Sequence, residues 1–279
     1  MLNVDRYAWQ QEARREFRFS PKQSFLVTAT PGSGKTRFSL ACINDVREIG
    51  AAQRVMVVVP TDHLRRQWAE AAHQYAGLNL NETFANGHGG IAPDCDGVVV
   101  TYHSVGRSPE VYRKLSAEKR TIVILDEIHH AGDSLTWGSG VREAFEPAVR
   151  RLLLSGTPFR SDNNKIPFVT YEPTEDGQWR SVADYCYGYG RAVSERAVRP
   201  IAFPALDGEM RWREAGEIKV GRLIAQKESE RKAALRAALD PSGAWIGSVL
   251  EAANVELSWA RGCVPDAGGL IIADSQQHA

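Results

Sequence analysis

The sequence predicts an α/β fold in which a parallel sheet is covered on both faces by helices. Three observations predict it. Short apolar segments alternate with helical segments as far as Phe159, one apolar segment runs into a glycine-rich turn and a helix, and another ends in two adjacent carboxylates. Apolar segments of this length suit strands that are buried on both faces, and their alternation with helices favours parallel pairing.

The predicted elements follow in a regular order. Five strands are predicted, in the segments SFLVTAT, RVMVVVP, GVVVTY, RTIVILDE and RLLLSGTPF. Helical spacing or helix boundary residues predict helices in RYAWQQEARREFRF, in RFSLACINDVREIG, which Gly50 closes, and in DHLRRQWAEAAHQYAG. A helix opened by Pro109 runs through Leu115, and GVREAFEPAVR is predicted to be helical despite the internal Pro147.

The regular alternation ends after Arg160. The segment RPIAFPALDGEMRWRE is predicted to form two short strands around the turn LDGE. Two helices are predicted, in KESERKAALRAALD and in GAWIGSVLEAANVELSWARG, and GGLIIADSQQHA begins a new apolar strand. Tyr185, Tyr187 and Tyr189 recur at every second position, which favours packing of an extended segment onto a neighbour over a platform for stacking bases.

Composition narrows the class of protein. The chain has 279 residues, and its 34 lysines and arginines balance its 34 aspartates and glutamates, so net charge indicates neither nucleic acid nor membrane. No signal-peptide core is present, and the apolar runs are too short to span a bilayer. The four cysteines form no Cys-x-x-Cys pair, which argues against a disulfide framework or a zinc ribbon. A cytoplasmic protein without membrane contact is expected.

The segment ATPGSGKT predicts a phosphate-binding loop, because it follows a strand and precedes a helix. Its first residue is Ala29, where the strict pattern has glycine. Lys35 is expected to reach the β- and γ-phosphates of ATP, and the Thr36 hydroxyl to bind Mg²⁺. The residues predicted to bind the nucleotide are Pro31, Gly32, Ser33, Gly34, Lys35 and Thr36.

The segment LDEIHH predicts the second half of the same site. Asp126 and Glu127 follow a strand and should lie at the carboxyl edge of the sheet. Asp126 is expected to bind Mg²⁺, and Glu127 to act as the general base that activates water. No zinc is expected, because His129 and His130 are adjacent and follow a strand, unlike the helical spacing of zinc proteases.

Taken in order, ATPGSGKT, LDEIHH and SGTPF resemble motifs I, II and III of superfamily 2 helicases and translocases. DEIHH looks like the DEAH-type box of the branch that includes restriction-enzyme motor subunits and XPB-like proteins. The resemblance implies a RecA-like P-loop NTPase that hydrolyses ATP. RYAWQQEA is similar to the Q-type motif, which makes Gln10 the expected reader of adenine. His129 holds the fourth place of the box, and the resemblance implies a contact with Ser155 or Thr157 that couples hydrolysis to movement.

The same resemblance implies a nucleic-acid surface. VVVPTDHLRRQW is similar to motif Ia, and VVVTYHS to a later motif that contacts nucleic acid. The side chains expected to contact phosphates are Thr61, Thr101 and Tyr102. The partner is expected to be DNA, with RNA left open.

The resemblance also implies a domain plan. Residues 1–165 are expected to form the ATP-binding lobe, 166–265 an α+β connector, and 266–279 the first strand of an incomplete second lobe. A second lobe in cis or a partner chain would then complete the site, and weak ATP hydrolysis is expected from this chain alone. The alternative is a nucleotide-dependent DNA-binding module or defence-type ATPase without unwinding activity, whereas the SGTPF strand argues against a small-molecule kinase.

Overall fold

The computed structural model describes residues 6–87, 89–132, 135–157, 165–175, 177–201, 209–214, 217–222, 234–235, 238–240 and 243–272. The chain divides into two compact units, Met1–Pro200 and Ile201–Ala279, and each is described separately.

Seven strands of the described part of the first unit form one sheet, and every neighbouring pair is parallel. The bounds are β1 Ser24–Ala29, β2 Arg54–Val59, β3 Leu80–Asn81, β4 Gly97–Thr101, β5 Thr121–Leu125, β6 Arg150–Ser155 and β9 Tyr185–Tyr187. The strand order in the sheet is β3-β4-β2-β5-β6-β1-β9. A short antiparallel hairpin, β7 Thr170–Pro173 with β8 Trp179–Val182, precedes β9.

Helices cover both faces of this sheet, as predicted. Alternate residues of a strand point to opposite faces, so β2 sends Val55 and Val57 into one core and Met56 and Val58 into the other. The first core is formed with α1 Ala8–Phe19, α2 Lys35–Glu48 and α3 Asp62–Ala76. The second is formed with α4 Tyr102–Arg107, α5 Pro109–Glu118 and α6 Leu135–Phe145.

The strand order brings three loops together. Strand β6 lies between β5 and β1, so the segments that follow these three strands leave the sheet side by side at its carboxyl edge. They are the glycine-rich turn after β1, the acidic pair after β5 and the Ser-Gly-Thr segment after β6. The predicted RecA-like α/β fold is therefore confirmed, and the carboxyl edge is where ligands of such sheets bind.

One predicted helix ends earlier in the structure, and one predicted strand pair is described only in part. Helix α6 ends at Phe145, and Pro147 lies in a turn, because proline cannot donate a backbone hydrogen bond inside a helix. Of the two strands predicted around LDGE, the second is present as Glu209–Glu214 (β10), and it pairs with the later strand Glu217–Arg222 (β11). Ile201 is in no strand, and 202–208, which hold the rest of the predicted first strand and most of the turn, lie outside the described residues.

The second unit contains this antiparallel pair and a helix, α8 Ala244–Cys263, which confirms the predicted helix in that segment. Only a few residues of the predicted helix in KESERKAALRAALD are described; Ala234, Leu235 and Ala238 are helical. No strand is assigned in 266–272, and the rest of the predicted last strand, 273–279, lies outside the described residues. No helix in the described ranges combines the length and the hydropathy needed to cross a membrane. A helix of six residues, α7 Tyr189–Ser194, follows β9 in the first unit.

Candidate nucleotide site

The loop between β1 and α2 has the backbone of an anion-binding turn. Gly32 and Gly34 have φ of +79° and +92°, a region that only glycine enters without strain. Gly34 is the N-cap of α2, which begins at Lys35. A turn of this kind directs successive N–H groups towards one point, and the helix N-terminus adds a partial positive charge. The loop can therefore hold phosphate.

Helix α1 holds this loop from behind. The indole Nε1 of Trp9 donates to the Ser33 carbonyl at 3.2 Å, and Nε2 of Gln10 donates to the Gly34 carbonyl at 2.9 Å. Both contacts use loop carbonyls, so the loop N–H groups can face the opposite side. The Ser33 hydroxyl is buried and has no hydrogen-bond partner within the described part of the chain, so a polar atom at the loop is left for a ligand.

The geometry of Gln10 does not support a direct reading of adenine. Its side chain is fully buried, and its Oε1 accepts from the backbone N–H groups of Arg6 and Tyr7 at 2.6 and 2.9 Å. Its Nε2 is engaged by the loop. Gln10 thus joins the start of α1 to the phosphate loop, and its expected role as the reader of adenine stays a prediction.

Lys35 and Glu127 meet at the centre of the site. The Nζ atom of Lys35 lies 2.7 Å from Oε1 of Glu127, and the backbone N–H of Gly156 donates to Oε2 of Glu127 at 3.1 Å. Burial of Glu127 acts to raise its pKa, but the hydrogen bond and charge of Lys35 outweigh it, and the pKa lies below its ordinary value. Glu127 is therefore held as a carboxylate by its contact with Lys35.

Glu127 also adopts an unusual backbone conformation. Its φ is +48°, which is uncommon for a residue with a side chain. Such positions are typical of functional sites, where the surrounding structure offsets the strain. Here the ion pair with Lys35 and the hydrogen bond from Gly156 hold the side chain in place.

Asp126 lies beside Glu127 but is buried, with 8 % of its surface exposed. Its Oδ2 accepts from Trp68 Nε1 at 2.8 Å, and its backbone carbonyl accepts from the Tyr102 hydroxyl at 2.9 Å. Burial raises the pKa of Asp126, and the hydrogen bond from Trp68 offsets part of that effect. A buried carboxylate gains most from a cation placed next to it, which suits a metal ligand.

His129 lies 3.0 Å from Ser155, measured between Nδ1 and the hydroxyl oxygen. The Ser155 hydroxyl also accepts from the backbone N–H of Thr157 at 3.0 Å. The contact expected from the sequence is therefore present, and it joins the acidic segment to the segment after β6. Whether it couples hydrolysis to movement stays a prediction.

Gly156 allows two of these segments to approach closely. A Cβ atom at this position would lie 3.2 Å from the Cγ and Cδ atoms of Pro31 and 3.6 Å from Nζ of Lys35. The absence of a side chain thus lets the segment after β6 pack on the phosphate loop. Pro31 itself is exposed and contacts this neighbour through its ring.

The predicted nucleic-acid residues divide into two groups. Strands β2 and β4 pair with Val59 opposite Thr101, so Thr61 and Thr101 lie at adjacent strand ends. Thr61 is exposed, and its hydroxyl makes no cap to α3. Thr101 is 5 % exposed, and its hydroxyl accepts from the Ser104 N–H as the cap of α4. The Tyr102 side chain is 1 % exposed and its hydroxyl donates to the backbone carbonyl of Asp126, an arrangement that does not favour the predicted phosphate contact.

Two tyrosines of the 185–189 repeat pack as expected. The ring of Tyr187 stacks on Trp9 with centroids 4.9 Å apart, and Tyr185 stacks on the same indole at 6.3 Å. Strand β9 thus covers α1, which holds the phosphate loop. The contacts of Trp9 with the phosphate loop and of Trp68 with Asp126 were not predicted from the sequence. The available signal was that a buried indole needs a partner for its N–H, and both lie next to recognised motifs.

The site has donors that fit a nucleotide with Mg²⁺. The Thr36 hydroxyl and the Asp126 carboxylate are oxygen ligands of the kind that Mg²⁺ prefers. Within the described ranges, no group of three or more histidine, cysteine or acidic residues forms a metal-binding cluster. Mg²⁺ commonly binds through one or two protein oxygens together with substrate phosphates, so the small number of protein ligands is consistent with it.

The chain is similar in sequence to one known protein family and to proteins of two mycobacteria. A family model described as "Type III restriction enzyme, res subunit" matches residues 3–160. Uncharacterized proteins of Mycobacterium tuberculosis and Mycobacterium leprae are 46% and 45% identical over 273 residues, which is 97% of this chain but 45% and 46% of theirs. The chain therefore spans about half the length of these relatives.

Solved structures are also similar. The Sulfolobus solfataricus SWI2/SNF2 ATPase core in complex with dsDNA matches with a TM-score of 0.46 and 18% identity, over 58% of this chain and 34% of that one. The Type ISP restriction-modification enzyme LlaBIII bound to DNA matches with a TM-score of 0.48 and 16% identity, over 69% of this chain and 15% of that one.

Proposed function

Because the chain belongs to the family of the type III restriction enzyme res subunit, we propose that it carries the ATP-binding lobe of an ATP-dependent DNA helicase or translocase. The family match makes the matched segment a superfamily 2 motor domain of the helicase-type ATPase class. Beyond this class, we propose ATP as the nucleotide, Mg²⁺ as the metal ion, DNA as the nucleic-acid partner and a role for each site residue.

One observation carries the proposal. Three segments that are far apart in the chain converge on Glu127, with Lys35 at 2.7 Å from one carboxylate oxygen and the N–H of Gly156 at 3.1 Å from the other. A lysine at a helix N-terminus supplies charge for a phosphate, and a carboxylate beside it can orient and deprotonate water. This pairing suits hydrolysis of a nucleoside triphosphate better than simple phosphate binding.

Each residue then has a defined task. The N–H groups of Gly32, Gly34 and Lys35 bind the phosphates, and the Lys35 ammonium leaves Glu127 to pair with the terminal phosphates. Glu127, released from Lys35, accepts a proton from the attacking water. The hydrogen bond between His129 and Ser155 transmits this change to the segment after β6, because it joins that segment to the acidic segment after β5.

Thr36 and Asp126 would hold Mg²⁺. When bound, the ion supplies neutralising charge for the phosphate oxygens as negative charge shifts during the reaction. The chain contributes by fixing the Asp126 carboxylate with the Trp68 indole and by excluding water from its buried side.

The nucleic-acid contact is proposed at the adjacent ends of β2 and β4. Thr61 offers a free-standing hydroxyl at the start of α3, where the helix N-terminus also favours a phosphate. Arg65 is less suited, because its guanidinium donates to the carbonyls of Val99 and Phe84. Contacts of this kind recognise the DNA backbone without reading sequence.

A second helicase lobe, in cis or from a partner chain, is proposed to complete the ATP site. The boundaries 1–165, 166–265 and 266–279 remain our proposal for the domain plan.

Calorimetric titration with ATP and Mg²⁺ tests the proposal. The parent should bind ATP, and Lys35→Ala should lose that binding, whereas Lys114→Ala, which removes an exposed lysine from α5, should bind like the parent. Glu127→Gln should bind ATP but not hydrolyse it. Equal ATP affinity in the parent and in Lys35→Ala would remove the basis of the proposed function.

A further inference from the structure

We infer that Trp68 and Tyr102 are positioning residues through which the proposed nucleic-acid surface acts on Asp126. The inference rests on the proposed function and deepens it, because it assigns a route between the two binding sites. Neither side chain touches the nucleotide or the nucleic acid in this account. Each one orients Asp126.

The first contact comes from helix α3. Trp68 is 2 % exposed, and its Nε1 donates to Oδ2 of Asp126 at 2.8 Å. The same helix begins at Asp62, directly after the exposed Thr61. Trp68 lies about two turns into this helix. A phosphate of bound nucleic acid at the start of α3 and the Asp126 carboxylate would therefore both contact the same rigid helix.

The second contact comes from the neighbouring strand. Tyr102 directly follows Thr101 at the end of β4, and its hydroxyl donates to the backbone carbonyl of Asp126 at 2.9 Å. Trp68 therefore donates to the side chain of Asp126, and Tyr102 donates to its backbone. The two donors come from the two segments that were expected to contact nucleic acid.

The local geometry makes this arrangement sensitive to small movements. The Asp126 carboxylate is largely buried, so the indole N–H is a major determinant of its orientation. Hydrogen bonds weaken steeply when their distance or angle changes. A small shift of α3 or of the β4 end on strand binding would therefore change how well Asp126 holds a cation. Removing the hydrogen-bond partner of a metal ligand typically lowers metal affinity about 10- to 100-fold.

Two variants that each remove one donor, with matched controls, separate this role from simple packing. Trp68→Phe removes the indole N–H and keeps an aromatic ring, and Tyr102→Phe removes only the hydroxyl. Tyr112→Phe is the matched control, because it also removes a buried tyrosine hydroxyl, one that donates to Asn86. Phe17→Leu controls for loss of buried volume at the C-terminal part of α1.

The first arm measures ATP binding with and without Mg²⁺, using a fluorescent ATP analogue. The gain in affinity that Mg²⁺ produces should fall about ten-fold or more in Trp68→Phe and stay at the parent value in both controls. Thermal unfolding of each variant shows that it is folded. If Trp68→Phe keeps the full Mg²⁺ gain of the parent, the inference is overturned.

The second arm measures the same Mg²⁺-ATP affinity with and without single-stranded DNA. The DNA-dependent shift seen in the parent should be lost in Trp68→Phe and Tyr102→Phe and kept in both controls, while DNA affinity without nucleotide stays unchanged in all four. An absent shift in the parent, or a full shift in both test variants, would overturn the inference. Failure of the proposed function is distinguishable, because the parent would then not bind ATP through Lys35 at all.

Discussion

The Gln10 side chain shows how one amide can set the shape of a binding loop. Its oxygen accepts from two backbone N–H groups at the start of α1, and its nitrogen donates to the Gly34 carbonyl. The side chain is fully buried, so solvent cannot replace either contact. A Cβ at Gly34 would lie 2.8 Å from the amide nitrogen, so the loop and the amide fit closely.

Gln10→Glu should therefore impair the phosphate loop and leave the helix start intact. The new oxygen would face the Gly34 carbonyl without a proton between them, a loss of about 1–3 kcal/mol for a buried polar group. We expect a lower melting temperature and weaker ATP binding. Gln67→Glu, on the exposed face of α3, is the control. Parent-like ATP affinity in Gln10→Glu would show that the contact does not position the loop.

Thr61 and Thr101 offer a second residue-level comparison, since only one of the two hydroxyls is free of a capping contact. Thr61→Val should weaken binding to single-stranded DNA of every sequence by a few-fold, equivalent to about 0.5–1.5 kcal/mol for one hydrogen bond. Thr101→Val should instead lower stability by about 1 kcal/mol through loss of the α4 cap. Fluorescence anisotropy at several salt concentrations, with thermal unfolding, measures both. Unchanged DNA affinity in Thr61→Val would contradict the proposed contact.

The sequence predicted the residues whose place follows from strand ends and motif order. Lys35, Asp126 and Glu127 each follow a predicted strand or its loop, and parallel strands bring such segments to one edge. The directions of Gln10 and Tyr102 could not be predicted. Each depends on a hydrogen-bond partner that is distant in the sequence, the Gly34 carbonyl for one and the Asp126 carbonyl for the other.

At the level of strands, Gly97 controls the pairing of β4 with β2. A Cβ atom at Gly97 would lie 1.8 Å from the carbonyl oxygen of Val55, which is far closer than any allowed contact. The two residues are paired in the register of the sheet, so neither backbone can move without breaking the ladder.

Gly97→Ala should thus lower the free energy of unfolding by about 1–3 kcal/mol, the usual cost of overpacking, or by more. Gly89→Ala is the matched control, because a Cβ there meets no atom within 4 Å. Urea unfolding followed by circular dichroism measures both variants. A Gly97→Ala protein as stable as the Gly89→Ala protein would show that β4 does not need this close approach.

The five strands predicted from apolar alternation are present, because strands buried on both faces leave a strong compositional signal. Strand β9 left a weaker signal. Tyr185 and Tyr187 are buried against Trp9 while Cys186 between them is exposed, so alternation predicted an extended segment but could not identify β1 as its partner. The pairing of β10 with β11 was not predicted, because LDGE resembles a turn and drew attention to the segment before β10 instead of the segment after it.

Across the first unit as a whole, residues near its two ends are joined by one charged network. Arg191 on α7 lies 2.9 Å from Glu12 on α1 and 2.7 Å from Glu195. The hydroxyls of Tyr185 and Tyr187 donate to Glu12 and Glu195 at 2.9 and 2.8 Å. Because α1 holds the phosphate loop, this network connects the last segments of the unit to the candidate site.

The network should make stability depend on pH in a defined direction. Hydrogen bonds from Arg191, followed by those from Tyr185 and Tyr187, hold the pKa of Glu12 and of Glu195 below the ordinary value of 4.5. A carboxyl with a lowered folded-state pKa contributes stability that is present above its unfolded-state pKa and is lost as pH falls through the folded-state pKa. The contribution is therefore present at neutral pH and declines below about 4.5. Both carboxylates are partly solvent-exposed, so screening keeps the effect modest.

Arg191→Gln tests this connection. Its melting temperature should be lower than that of the parent at neutral pH, and the difference should shrink in acid, where the carboxylates are protonated and lose their attraction to Arg191 in the parent as well. Arg66→Gln, which breaks an exposed ion pair within α3, should change the melting temperature less, because that pair links residues of the same helix. A difference between the parent and Arg191→Gln that stays constant from neutral to acid pH would show that this network does not tie α7 to α1.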